Sequence, residues 1–397
     1  MRNKKITLPL KYIIILFLIN LFLFSLGTYS VASEVETFSL YDTMANLDLD
    51  SLEEYKKNVD EEINNYFDNK SVKEWLIDFV KGEWQFDIKE VGGNLISTLL
   101  KEVVANSGLL GKLLILSILA ALLINLQTAF SSSIAKVSYL ATFLALCAIA
   151  LGSFNIVLSI GQNTVDNMVA FMIGMLPQMM VLVAGLGNIN TSLMLFPILM
   201  TTATALANAI KNIVFPLIIL SAILNIVNNM SDTIKVEKLA KFMGQIAQIT
   251  LGFFLTIFVG VVTLRAIYGA ALDKVTLRTT KFVTDNAIPV VGKMFSDTIE
   301  VAAGYIVMLK QAIGVFGLLV VLGIIITPLL KIAAIALIYK ITAAIVEPLG
   351  DTRTATILEI MSAHLFLMLS AVAAVGLMFF IMIAIVASIS NSAFMMR

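Results

Sequence analysis

Ionisable residues inside apolar stretches are the first candidates for chemistry, because a charge in hydrocarbon is costly unless it finds a partner, a cavity or the interface. Arg265, Lys310, Lys331, Lys340, Glu347 and His364 all lie in such stretches. Lys310 is the most demanding, since a lysine deep in an apolar helix costs about 2.5–3.5 kcal/mol on insertion scales. The following Gln311 adds a second polar group at similar depth. Two readings stand for this pair: a structural pairing inside a helical bundle, or the lining of a polar pathway. Lys340 lies about two turns from Glu347 and shares its face if the helix is continuous up to Pro348. Arg265, Lys331, Glu347 and His364 fall near segment ends, where snorkelling to the interface accounts for them.

Other chemistry has little material. Cys147 is the only cysteine and sits in an apolar segment, so no intramolecular disulfide is available. His364 is the only histidine, which leaves no histidine-based metal cluster and no triad except around itself. Gly108-Leu109-Leu110-Gly111-Lys112 resembles a nucleotide loop only superficially. Its glycines are too close together, no Ser or Thr follows the lysine, and it opens an apolar helix where a Walker A loop would follow a strand. The expectation is no enzyme activity, no metal and no cofactor.

The elements that must position these residues follow from composition. Hydrophobic residues make up 59% of the 397 and charged residues 14%, far from soluble-domain values, so the class is an all-α polytopic membrane bundle. Formal net charge is zero and no basic run is interleaved with aromatics, which argues against nucleic acid as a partner. The lipid bilayer and other proteins are the expected partners.

Along the chain, Arg2, Lys4, Lys5 and Lys11 precede an apolar run from Tyr12 to Leu26, and Ser30-Val31-Ala32 follows it. A basic start, an apolar centre and small residues are the order of a cleavable signal peptide over 1–32, the alternative being an uncleaved anchor. Residues 33–107 read as a small helical extracytoplasmic domain, with Leu52, Tyr55, Val59, Ile63 and Phe67 at helical spacing and Trp75 and Trp84 in a second apolar set. So few elements make a marginal core, and the domain is expected to pack on the membrane portion or on another protein. Residues 108–397 form the transmembrane domain, with about 7–9 segments, some of them re-entrant candidates. The full count gives nine crossings, with Lys136, Lys235, Lys238 and Lys241 marking cytoplasmic loops, residues 273–300 outside and Arg397 inside. Pro177, Pro197, Pro216 and Pro328 each bend or end a helix. Lys274, Arg278, Lys281 and Asp285 form one charged stripe of an amphipathic helix at the membrane surface.

One constellation carries family character. Ile288-Pro289-Val290-Val291-Gly292, Ser296-Asp297, Lys310 before Gly314-Val315-Phe316-Gly317, Pro328 with Lys331, and Glu347-Pro348 before Asp351 and Arg353 stand in this order. With the signal peptide, short acidic domain and long polytopic portion, the chain resembles the stage III sporulation protein AE family of endospore-forming bacteria. The resemblance spans nearly the whole chain, and the C-terminal third is its most specific part. It implies a multi-pass component of the mother-cell membrane around the forespore, made in the mother cell. It further implies a multiprotein, secretion-like channel complex linking the two compartments, with other stage III sporulation membrane proteins, a separate cytoplasmic ATPase and a forespore-side partner reached through the intermembrane space. The alternative from the residues alone is a stand-alone secondary transporter with a polar site near Lys310.

Overall fold

The computed structural model describes residues 49–57, 70–83, 88–130, 133–230, 235–287 and 292–389. The signal peptide, Trp84, Ile288 and Pro289 lie outside them. Three short helices come first: α1 (Leu49–Lys57), α2 (Val72–Lys81) and α3 (Ile88–Ala105). Then follow α4 (Ser107–Phe130), α5 (Ser133–Gly185), α6 (Ile189–Ala209), a π-helical turn (Ile210–Val214), α7 (Phe215–Met230), α8 (Glu237–Ala287), α9 (Gly292–Val346), a 3-10 turn (Glu347–Leu349) and α10 (Thr352–Ser388). There is no strand among the described residues.

α2 shows how local sequence sets these boundaries. Ser71 caps its N-terminus through the Glu74 amide, and the Glu74 carboxylate returns to the Ser71 amide at 3.0 Å, a reciprocal capping box. Those Ser71 contacts hold the Glu74 carboxyl below the usual carboxylate range. Gly82 ends the helix at φ 76°, a left-handed conformation that glycine adopts without steric cost. The buried Trp75 lies against Phe316 of α9 at 6.0 Å between ring centroids, so this short helix is seated on the long one.

Among the described residues, six stretches are long and apolar enough to cross a membrane: Ser107–Leu126, Val137–Gly185, Ile189–Met230, Glu237–Asp273, Ile306–Leu349 and Thr352–Ser388. The expected 7–9 segments therefore become six, because three pairs of apolar runs join. Pro177 and Pro328 stand inside unbroken helices, and the polar break expected around Lys211 is a π-helical turn that passes α6 into α7. A proline removes one backbone donor and bends a helix without having to end it. Polar side chains likewise do not interrupt a ladder whose hydrogen bonds are all made by the backbone. Six traversals also return the end of α10 to the end of the bundle from which α4 starts, whereas nine crossings would place it at the other.

α9 and α10 form the central hairpin, folded back through the 3-10 turn and Gly350 at φ 90°. α5 packs along both. Small residues allow this approach: a Cβ on Gly161 of α5 would lie 3.2 Å from Val372, and one on Gly376 of α10 would lie 2.9 Å from Ile325 of α9. Gly314 and Gly317 of α9 are both buried in the same way. A Cβ on Gly314 would meet the Ala387 Cβ at 2.8 Å, whereas one on Gly317 would meet the flexible end of Met175. Overpacking against a rigid partner costs about 1–3 kcal/mol. Gly314→Ala is therefore expected to lower the thermal midpoint of the detergent-solubilised protein by more than Gly317→Ala, which Met175 accommodates by rotating.

Candidate functional site: helix ends, an intramembrane ion pair and a polar cleft

Three buried charges of the long helices, Asp273, Asp351 and Lys310, serve helix ends. A helix terminus leaves backbone groups without intrahelical partners, and burial removes the water that would serve them. Asp273 of α8, 1% exposed, accepts hydrogen bonds from the Asn190 and Thr191 amides at 3.0 Å each, in the first turn of α6. Asn188, the N-cap of that helix by position, makes no side-chain cap, so the acid from the neighbouring helix replaces it. Asp351 does the same for α10: it accepts from the Thr354 amide at 3.0 Å and from the Thr354 hydroxyl at 2.5 Å, and the Tyr139 hydroxyl of α5 reaches it at 3.2 Å. A negative charge at a helix N-terminus also meets the positive end of the macrodipole.

Lys310 is the counterpart at a C-terminus. It is 1% exposed, and its Nζ donates to the carbonyl of Ile389, the residue that closes α10. A cation there faces the negative end of the helix dipole, which answers the partner that the sequence demanded. Gln311 is exposed, so it does not share this environment. Lys340 does not pair along its own helix with Glu347. It bonds Glu359 of α10 at 2.8 Å on an exposed surface, because α9 ends at Val346 and Glu347 opens the 3-10 turn, off the helical face of Lys340. Pro348 is exposed in that turn, Arg353 and Lys331 are half-buried, Pro328 bends mid-α9, Gly292 opens α9 and Asp297 lies in its second turn. Asp273, which the crossing count places outside at the start of 273–300, is a buried residue of α8.

The pair that sequence reading passed over is Asp166 with Lys211. Lys211 Nζ contacts the two Asp166 oxygens at 2.7 and 2.5 Å, joining α5 to the π-helical turn. A signal existed: Asp166 is the sole charged residue of the apolar stretch Val137–Gly185, and Lys211 the sole one of Ile189–Met230. A lone acid and a lone base at matching depth in two apolar helices are each other's cheapest solution. π-helical turns, moreover, concentrate at functional sites.

A polar cleft of about 590 Å³ opens between α7, α8 and α10. Ser221, Asn225, Glu237, Gln245, Gln248 and His364 are among the residues that line it. His364 Nδ1 lies 2.8 Å from the Ile360 carbonyl, which can only accept, so Nδ1 carries a proton. Its Nε2 lies 2.8 Å from the Ser221 hydroxyl, which in turn donates to the Ala240 carbonyl at 2.8 Å. A serine beside a histidine suggests nucleophilic chemistry, but the group on the far side of this histidine is a backbone carbonyl of its own helix and not the orienting acid of a triad. Among the described residues, no three metal-ligating side chains gather.

A chain whose described residues build six long apolar helices, with its buried charges matched to helix ends, is a polytopic helical membrane protein. It belongs to the stage III sporulation protein AE family, whose profile matches residues 70–390. It is 35% identical over 356 residues to stage III sporulation protein AE of Bacillus subtilis (strain 168), covering 89% of each chain. No solved structure matches.

Removing one side of a buried hydrogen-bonded pair costs about 1–3 kcal/mol per unsatisfied group. Asp273→Ala, which strands the Asn190 and Thr191 amides, is expected to lower the thermal midpoint more than Asp273→Asn, which keeps one acceptor. For the ion pair, whose Asp166 side chain is half exposed, Asp166→Leu with Lys211→Leu should cost less together than the sum of the two single changes, by about 0.2–1 kcal/mol. A double-mutant cycle by thermal unfolding in detergent measures this, and strictly additive losses would show that the two side chains do not interact.

Proposed function

We propose that this chain is a membrane component of the multiprotein, secretion-like complex that links mother cell and forespore during endospore formation. It acts there by assembly with other stage III sporulation membrane proteins and with a cytoplasmic ATPase that supplies the energy. The observation that carries this reading is the family match across 70–390, which takes in the whole described bundle together with α2 and α3. Physical features agree with it. Helix α2 sits on α9 through Trp75 and Phe316, so the residues preceding the bundle are anchored to it where a partner could engage both. Lys310 favours assembly over a stand-alone permease: its ammonium group serves the end of α10 and is spent on structure. In this reading residues 1–32 direct the chain into the mother-cell membrane, and residues 33–107 lie in the space between the two membranes, where the forespore-side partner is met.

The test is affinity purification of the tagged full-length chain from sporulating cells. Stage III membrane proteins and the ATPase are expected to co-purify, and deletion of the chain should arrest spore formation. A chain that purifies alone, from cells whose sporulation does not depend on it, overturns the proposal.

A further inference from the structure

The polar cleft between α7, α8 and α10 holds side-chain groups that the bundle itself does not use. Ser221 and His364 are committed to each other and to the Ala240 and Ile360 carbonyls. Asn225 and Asn229, one turn apart on α7, are only half committed. Asn225 Nδ2 donates to the Ser221 carbonyl at 2.9 Å, and Asn229 Nδ2 donates to the Asn225 carbonyl at 2.8 Å. A carbonyl can only accept, so each contact fixes the amide nitrogen and leaves the amide oxygen as the free end. Neither oxygen has a partner among the described residues, although Asn225 is only 9% exposed and lines the cleft. A buried acceptor that opens on a cavity calls for a donor.

Residues four apart on a helix stand about 5–6 Å apart at Cβ, so one small group can reach both oxygens. Glu237 is the carboxylate of the lining and favours a cation there. Its present partner is Lys241 at 2.5 Å, but both side chains are more than half exposed, and such an i,i+4 pair exchanges at little cost. The wall from α10 is apolar, with Ile360, Ala363 and Leu367, and a cleft of about 590 Å³ far exceeds a bare ion. We infer that this cleft binds a primary ammonium group carried on an apolar body. Such a group brings three N–H donors to the Asn225 and Asn229 oxygens and the Glu237 carboxylate, whereas a quaternary ammonium brings none and an anion meets only acceptors. Two sources share this chemistry: a soluble alkylamine and the ethanolamine headgroup of a membrane phospholipid. The cleft lies where α7 passes into α8, close to the exposed Phe242 and to Lys235 and Lys238, the lysines that mark a membrane surface. A headgroup there would also offer its phosphate to Lys241 when Glu237 turns to the ammonium. One chain forms the site, so it does not depend on assembly of the complex.

The experiment follows thermal unfolding of the full-length chain purified in detergent. At fixed ionic strength, n-butylammonium is expected to raise the midpoint to a plateau, while n-butyltrimethylammonium and potassium leave it unchanged. Asn229→Ala, at a partly exposed position, is expected to weaken the apparent affinity for n-butylammonium about 10-fold or more, the effect of losing one hydrogen bond to a charged group. Glu237→Gln, which keeps the shape of an exposed side chain, is expected to weaken it as well. Nanodiscs of phosphatidylethanolamine or of phosphatidylcholine, each with the same fraction of phosphatidylglycerol, separate the sources. A higher midpoint with the ethanolamine lipid, lost in Asn229→Ala, assigns the site to the headgroup, and n-butylammonium binding with equal midpoints in the two lipids assigns it to a soluble amine. Equal shifts with n-butylammonium and its trimethyl analogue or potassium overturn the site. So do shifts with n-butylammonium that persist unchanged in Asn229→Ala and Glu237→Gln, which leave the cleft to water.

Discussion

A buried helix end is the constraint on which this structure depends. Every α-helix leaves amides at one end and carbonyls at the other without partners, and apolar surroundings turn each into a cost. In this bundle buried charges supply the missing groups: Asp273 of α8 for the start of α6, Asp351 as the N-cap for the start of α10, and Lys310 of α9 for its end. Each carries the sign that the helix dipole favours at that terminus. The arrangement fixes register as well as energy. Asp273 can reach the Asn190 and Thr191 amides only if α8 lies antiparallel to α6 at one offset, and Lys310 can reach Ile389 only if α9 and α10 fold back with nearly equal arms.

Apolar packing alone would specify that register poorly. Helices as uniformly hydrophobic as α5, α9 and α10 gain little from one sliding position over another when lipid competes for the same surface. Two devices remove the ambiguity. Glycines at 161, 314 and 376 create close approaches that fit only their own partners. Polar links such as Ser153 with Tyr339, Ser362 with the Ala336 carbonyl and Tyr139 with Asp351 tie specific heights together. The interior is therefore apolar in bulk and polar at its fixed points.

Much of this was legible in the sequence. The all-helical membrane class follows from composition, the demand of Lys310 for a partner from the cost of its burial, and the family from the C-terminal third. The segmentation was not legible, because polar residues such as Asn163, Asp166, Lys211 and Asn212 look like loop signals when each helix is read alone. Only pairing shows that the acid of one helix answers the base of the other. The partner of Lys310 was hidden for a different reason: it is a backbone carbonyl, and sequence does not advertise which carbonyls a fold leaves open. Lys340 illustrates the same limit in reverse. Its seven-residue separation from Glu347 had meaning only if the helix continued, and the turn at Glu347 removed that premise.

One level of the bundle concentrates its irregular backbone. Ile325 of α9 meets Gly376 of α10, which Met168 of α5 approaches. Within about a turn of these contacts lie Pro328 and Asp166, and Asp166 holds the π-helical turn through Lys211. Pro328 leaves the Ile324 carbonyl without its helical donor, and the π-helical turn widens the helix that joins α6 to α7, so both depart from ideal geometry near the level at which the ion pair ties α5 to that turn. Such departures are tolerated at membrane depth where protein or water can serve the freed groups, and they are costly against lipid.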